Sequence, residues 1–227
     1  MKKIKFPAIA ILIAAIAISC NNGNSTSNAD DKMKDIAQEA ASMKAYVIDY
    51  KMTMSAAEAK STSTVTQWID MGADRFAMES QTETTMMGTT QKTRMMIIDD
   101  GTWNYMIDLM NNSGYKSKSG ESEDDPTEMI KSDDEVTFRQ MIEKEGGKII
   151  GNETFLDKNC IVVELMEKDD EGKQQATKMW YYKGIPLKIS NSVYTMEATR
   201  FEENASIPSS RFEVPAGIKL TEMPSME

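Results

Sequence analysis

The sequence predicts a mainly β (α+β) protein, a curved antiparallel sheet forming an unclosed half-barrel with helices capping the concave face. Three observations predict it. Apolar and polar residues alternate over one segment after another, the period of a half-buried strand. Only two stretches, within 29–44 and 126–146, carry the three-and-four spacing of a helix. No strand–helix–strand succession occurs, so a parallel sheet is not expected. The 227 residues suffice for one domain with a sizeable core.

The elements follow in order. Met33, Ile36, Ala37, Ala40, Ala41 and Met43 fall on one helical face between Ala29 and Lys44. The period then becomes two: Tyr46, Ile48, Tyr50, Met52 and Met54 share a strand face. A second strand is expected over Ser63–Met71 and a third over Arg75–Gln81, with Phe76 and Met78 on one face. Thr93–Asp99 and Thr102–Leu109 flank Asp100-Gly101, a strong hairpin signal. That loop would pair Ile98 with Trp103 and Met96 with Tyr105, putting Met96, Ile98, Trp103, Tyr105 and Ile107 on one face. Asn111 to Asp125 reads as a polar, solvated loop. Asp125-Pro126-Thr127-Glu128 and Ser132-Asp133-Asp134-Glu135 are helix-start signals, and Gly146-Gly147 is a stop. Strands resume at Lys148–Phe155, Asn159–Met166, Gln175–Lys183, Leu187–Ser190 and Ser192–Glu202. Turns are expected at Leu156-Asp157-Lys158-Asn159 and Gly184-Ile185-Pro186. A last apolar piece runs from Phe212 to Leu220.

The start of the chain has its own logic. Lys2, Lys3 and Lys5 precede an apolar run from Phe6 to Ile18, then Ser19-Cys20 and a polar Asn/Ser/Thr stretch. This is the layout of a secretory signal. The run is shorter than the roughly 20 residues a membrane span needs. Ala17-Ile18-Ser19-Cys20 resembles the bacterial lipobox, with Ala17 where Leu is commonest. That resemblance implies that Cys20 becomes the lipidated first residue, carrying acyl chains of the palmitate type. The expected organisation is a signal peptide over 1–19, a lipidated Cys and flexible tether over 20–29, and a domain over 30–227. An ordinary cut leaving a free Cys20 is the other reading.

Composition excludes several functions. The net charge of −10 falls by three, to −13, once Lys2, Lys3 and Lys5 are removed. Such a chain neutralises no phosphate backbone, so nucleic acid is not an expected partner. There is no histidine, which removes Ser-His-Asp and Cys-His catalysis and the usual zinc sites. Of the two cysteines, Cys160 sits in a strand pattern and reads as a small buried hydrophobe. Ser113-Gly114-Tyr115-Lys116 matches S-x-x-K but has no K-T-G partner. No enzyme activity and no cofactor are expected.

Several segments together carry a resemblance. They are Trp68-Ile69-Asp70 before Arg75-Phe76, the run from Met96 to Tyr105, Lys148 to Glu153, Trp180 to Leu187, and Phe212 to Ile218. In this order they resemble the outer-membrane lipoprotein carrier superfamily, LolA and LolB, and still more the uncharacterised lipoproteins of Bacteroidota with the same half-barrel. The resemblance spans roughly residues 30–222. It implies an open barrel of about eleven strands whose apolar cavity shelters acyl chains, with Arg75 as the sheet arginine that holds the lid helices.

The functional expectation is a membrane-anchored periplasmic lipoprotein, on the outer membrane, that binds or carries a lipid or acyl-chain ligand. Tyr46, Tyr50, Met52, Met54, Phe76, Met78, Met96, Ile98, Trp103, Tyr105 and Trp180 are the candidate ligand-binding residues. Methionine is unbranched and polarisable, so it adapts to irregular apolar shapes. A non-catalytic envelope module that binds a protein partner through its sheet edges is the alternative. A Cu(I) site built from Met52/Met54, Met86/Met87 or Met95/Met96 is a minor one.

Overall fold

The computed structural model describes residues 43–56, 59–119, 142, 146–168 and 174–223. Both expected helices lie outside these residues, except for Met43, Lys44, Ile142 and Gly146. Cys20 and the segments around it lie outside as well.

Twelve strands form one sheet: β1 (Ala45–Ala56), β2 (Ala59–Asp70), β3 (Arg75–Met86), β4 (Thr89–Asp99), β5 (Trp103–Asp108), β6 (Ser113–Lys118), β7 (Gly147–Phe155), β8 (Lys158–Lys168), β9 (Gln174–Tyr182), β10 (Ile185–Ser190), β11 (Tyr194–Glu203) and β12 (Lys219–Glu222). The sheet is curved and unclosed, in the order β12-β6-β5-β4-β3-β2-β1-β11-β10-β9-β8-β7. It consists of two meanders, β1–β6 and β7–β11, joined where β1 pairs with β11.

Three details depart from the sequence reading. The polar stretch after Asn111 is not all loop: Ser113–Lys118 is a strand, held by backbone pairing rather than by an apolar face. Its neighbour β12 runs parallel to it, the one parallel pair among the described strands. The Asp100 hairpin turns one residue later than expected, pairing Ile98 with Tyr105 and Met96 with Ile107. Asp100 Oδ1 accepts from the N–H groups of Thr102 and Trp103 at 2.9 and 2.8 Å, which leaves Gly101 at φ 87° to make the bend. This displacement keeps every side chain on its expected face. Met87-Gly88, Leu156-Asp157 and Lys183-Gly184, by contrast, are two-residue turns with both residues at positive φ. The Leu156 turn starts where expected but is two residues shorter, so that Lys158 and Asn159 belong to β8; the Lys183 turn starts one residue early, so that Ile185 and Pro186 belong to β10.

Register assigns the two faces of β1–β4, because directly opposed residues share a face. On one face lie the rows Tyr46–Ile69–Phe76–Asp99, Ile48–Gln67–Met78–Ile97, Tyr50–Val65–Ser80–Met95, Met52–Ser63–Thr82–Thr93 and Met54–Ser61–Thr84–Gln91. We call this the tyrosine face. The other, the tryptophan face, carries Val47–Trp68–Ala77–Ile98, then Asp49–Thr66–Glu79–Met96, Lys51–Thr64–Gln81–Arg94 and Thr53–Thr62–Glu83–Lys92.

Each face has its own core. On the tyrosine face Tyr46, Ile48, Tyr50, Val65, Ile69 and Met78 pack with Met196, Ala198, Ile185, Leu187 and Cys160. On the tryptophan face Val47, Trp68, Ala77, Met96, Ile98 and Ile107 pack under Phe212, from the 3₁₀ turn Ser209–Phe212. Arg211 stacks over Trp68 at 4.7 Å. Arg75 lies over the Phe212 ring at 4.5 Å and binds Asp70 at 2.6 Å. Arg75 therefore secures the C-terminal segment.

Bulges shape the joint between the meanders. Thr199 is the extra residue opposite Asp49/Tyr50, and Leu187 the extra one between Pro186 and Lys188. Proline donates nothing to a ladder and belongs beside such irregularities. Pairing of β10 with β11 is accordingly confined to Lys188–Ser190. A third cluster joins Ile161 and Val163 of β8, Met179 and Tyr181 of β9, and Ile142, which precedes β7.

Candidate ligand-binding face

The tyrosine face changes character along its strands. At the Tyr46 end it is closed core: Tyr46, Ile48, Tyr50, Val65, Ile69 and Met78 are all buried. Toward the opposite ends of the strands it opens, and Met52, Met54, Ser61, Ser63, Thr82 and Thr84 are half-buried. Ser61 Oγ lies 3.0 Å from Thr84 Oγ1, and Ser63 hydrogen-bonds Thr82 across the same strand pair. Ser63 Oγ also donates to the Gln81 carbonyl at 3.3 Å. The open zone is thus a floor of thioethers and hydroxyls beside a wall of aromatic core.

The electrostatics follow from that composition. In the rows of β1–β4 on this face the single ionisable carboxylate is Asp99, at the Tyr46 end. Burial pushes the Tyr46 phenol up, and Tyr181 and Tyr194 are pushed up to about 12 for the same reason. Tyr50 is raised by burial first, then by the phenols of Tyr46, Tyr194 and Tyr181 around it. Its hydroxyl donates to the Pro186 carbonyl at 2.8 Å, tying β1 to the bulged strand β10. Gln67, buried among these residues, donates from Nε2 to the Met78 sulfur at 3.9 Å.

One charged cluster borders the closed end. Glu203, opposite Tyr46, accepts from Lys158 at 2.7 Å, Lys183 at 2.6 Å and the Tyr182 hydroxyl at 3.1 Å. Burial works against the Glu203 carboxylate, but the bonds from the two lysines outweigh it and hold its pKa below the usual range.

The structure divides the residues singled out from sequence. Tyr46, Tyr50, Met52, Phe76 and Met78 come together on the tyrosine face. Met54 continues that row of β1, opposite Tyr194. Trp180 packs against the same cluster and donates its indole N–H to Glu153 at 2.8 Å. Met96, Ile98 and Tyr105 belong to the opposite face, beneath Phe212 and its neighbours, and do not share a lining with the others. Trp103 shares the register of Tyr105 and is covered by the Lys116 ammonium at 4.1 Å. The physical reason is parity: Met78 pairs with Ile97, so the adjacent Met96 and Ile98 point the other way. Ile97, Val65, Leu187, Met196 and the hydroxyl rows were missed. Gly88, preceding a strand of matched length, was the signal that would have fixed the register.

Other candidates resolve simply. Cys160 is fully buried, donates to the Lys158 carbonyl at 3.6 Å, and has its thiol pKa raised by burial. Ser113 and Lys116 sit three apart on β6 and so project to opposite faces. Among the described residues no three His, Cys, Asp or Glu side chains gather as a metal site. No helix among them is long and apolar enough to cross a membrane.

No family model matches the chain. An uncharacterized protein of the archaeon Methanocaldococcus jannaschii is 30% identical over 132 residues, which are 56% of this chain and 37% of that protein. The chain therefore spans little more than a third of the length of this relative. Among solved structures, an uncharacterized conserved protein from Thermus thermophilus aligns with 86% of this chain and 100% of its own, at TM-score 0.49 and 6% identity. LprF from Mycobacterium bovis aligns over the same shares at TM-score 0.42 and 9% identity. A putative outer membrane lipoprotein-sorting protein domain from Vibrio parahaemolyticus aligns with 80% of this chain and 96% of its own, at TM-score 0.27 and 13% identity.

Proposed function

We propose that this protein is a lipid-anchored envelope lipoprotein that holds a hydrophobic ligand, a lipid or acyl chain, on the tyrosine face of its sheet. The lipobox resemblance at Cys20 supports the anchor, and Asn21-Asn22 after it, with no acidic residue, supports the periplasmic face of the outer membrane. The observation behind the ligand is the chemistry of that face. A half-exposed protein surface ordinarily carries charges; here the rows from Tyr50 to Met54 carry methionine, serine and threonine instead. Surfaces of this kind, weakly polar beside an aromatic core, suit apolar ligands. Met52, Met54, Met95 and Met196 supply adaptable contacts, and Tyr50 and Val65 form the wall beside them. No catalytic step is assigned to the protein.

The test is native mass spectrometry of the chain from residue 21 onward, purified from bacteria without detergent. Co-purified phospholipid or fatty acid is expected, and it should be lost in Met52→Glu but kept in Thr64→Glu on the opposite face. A bare polypeptide mass that takes up no added lipid would sink the ligand reading. An envelope interaction module would then be the better account.

A further inference from the structure

We propose that the ligand of the tyrosine face is an amphiphile with an uncharged, hydroxyl-bearing polar end, of acylglycerol or glycolipid type, rather than a phosphate or carboxylate. This rests on the ligand reading above and narrows its chemistry. Three observations support it.

The first is the polar inventory of the open zone. Its donors and acceptors are the hydroxyls of Ser61, Ser63, Thr82 and Thr84, with Ser80, Gln91 and Thr93 in the same rows. A hydroxyl both donates and accepts, so after pairing across β2 and β3 each still has capacity for a ligand hydroxyl. A row of such groups matches a polyol and offers an anion no countercharge.

The second is where the cations are. On β1–β4 the basic residues all belong to the other face, and three are held there by carboxylates: Arg75 by Asp70 at 2.6 Å, Lys92 by Glu83 at 3.0 Å and Arg94 by Glu79 at 2.6 Å. Lys158 and Lys183 border the closed Tyr46 end and share Glu203. An ionised head placed among uncharged side chains loses hydration without a partner, a cost that a neutral polyol avoids.

The third is the sign of the charge at the rim. Asp108 of β5 lies opposite Met95, at the end of the Tyr50–Val65–Ser80–Met95 row. Asp108 accepts from the backbone N–H groups of Met110 and Asn111 and from the Asn111 amide, and these bonds lower its pKa. It therefore stays anionic and repels an anionic head.

The experiment uses the full chain in phosphatidylcholine vesicles and three photo-crosslinking probes with the same diazirine-bearing C16 chain. One is a monoacylglycerol, one the free fatty acid, one the lysophosphatidic acid. Labelled peptides are mapped by mass spectrometry. The expected result is labelling within 50–65 and 78–95, with the monoacylglycerol about tenfold ahead of both anionic probes. Thr82→Lys, and independently Ser63→Lys, should reverse that order while leaving the thermal transition in place. Equal or stronger labelling by the anionic probes would overturn this proposal and leave lipid binding standing. An unchanged order in both lysine variants would also overturn it. Labelling by none of the three would remove the ligand reading itself.

Discussion

The two faces of strands β1 to β4 are made from the same forty-odd residues and have opposite chemistries. The tryptophan face is a finished surface: its apolar end is roofed by Phe212, and beyond it Asp49, Glu79 and Glu83 meet Arg200, Arg94 and Lys92 in ion pairs. The tyrosine face has an equally tight core at one end, but its open end lacks the charges that normally finish a surface. Strand alternation alone produces this division. Every second residue obeys a different constraint, and only one of the two sets reads as adapted to water.

The largest test of the comparison is Phe212→Ala. Removing the ring that roofs Trp68, Ile98 and Ile107 should cost about 3–5 kcal/mol by urea denaturation. It should leave lipid labelling of the tyrosine face intact in whatever fraction remains folded. Loss below about 1 kcal/mol would mean that the C-terminal segment contributes little to that core.

The next test uses the buried phenols. Their folded-state pKa values lie above the ordinary value of about 10, with Tyr181 and Tyr194 at about 12. The folded state thus holds these protons more tightly than the unfolded one. Their contribution is complete below pH ~10 and is lost as pH rises toward the folded values. Urea midpoints should therefore fall steeply between about pH 10 and 12, and Tyr194→Phe should flatten the fall. A flat alkaline profile in the parent protein would contradict the burial of this cluster.

Glu203→Gln should have a smaller effect, about 1–2 kcal/mol, because Lys158 and Lys183 lose their shared carboxylate while keeping some access to water. The sign in acid follows from a depressed pKa. The stabilisation is present above the ordinary carboxylate value and disappears as pH falls through the lowered one. Urea midpoints of the parent should drop on going from neutral pH into that acid range, and those of Glu203→Gln should drop less.

The smallest effect belongs to the β3–β4 turn. Met87 is exposed and sits at φ 51° before Gly88. Met87→Asn would create the Asn-Gly pair such turns favour and should raise stability by about 0.5 kcal/mol, measured as a small rise in melting temperature.

Much of the fold was legible because alternation is a local property. Tyr46 to Met54, and Met96 to Ile107, fell on the faces read for them relative to their own strands. What stayed illegible was the relation between strands. The segment Thr82–Thr93 is threonine, glutamine and charge except for Met86-Met87-Gly88 at the turn, so no apolar period connects Met78 to Ile97. The parity between the two halves of the proposed lining hung on the Met87-Gly88 turn alone, and without it Met96 and Ile98 were placed with residues they face away from. Strand β6 was missed because Ser113–Lys118 has no apolar face to announce it. Its parallel pairing with β12 joins segments about a hundred residues apart and leaves no local trace.

The joint between the meanders has a consequence for how the chain is made. Strand β1 finds its second neighbour only in β11, and the contacts of Asp49 with Thr199 and Arg200 span 150 and 151 residues. Synthesis proceeds from the N-terminus, so the first meander emerges with one long margin bare and waits for almost the whole chain before it is covered. Such late closure makes folding slow and leaves an adhesive edge until the chain is complete. The polar run Lys60–Thr64, with its threonines and lysine, lies on the strand just inside that margin, and the apolar half of β1 is the part most in need of protection until residue 203 arrives.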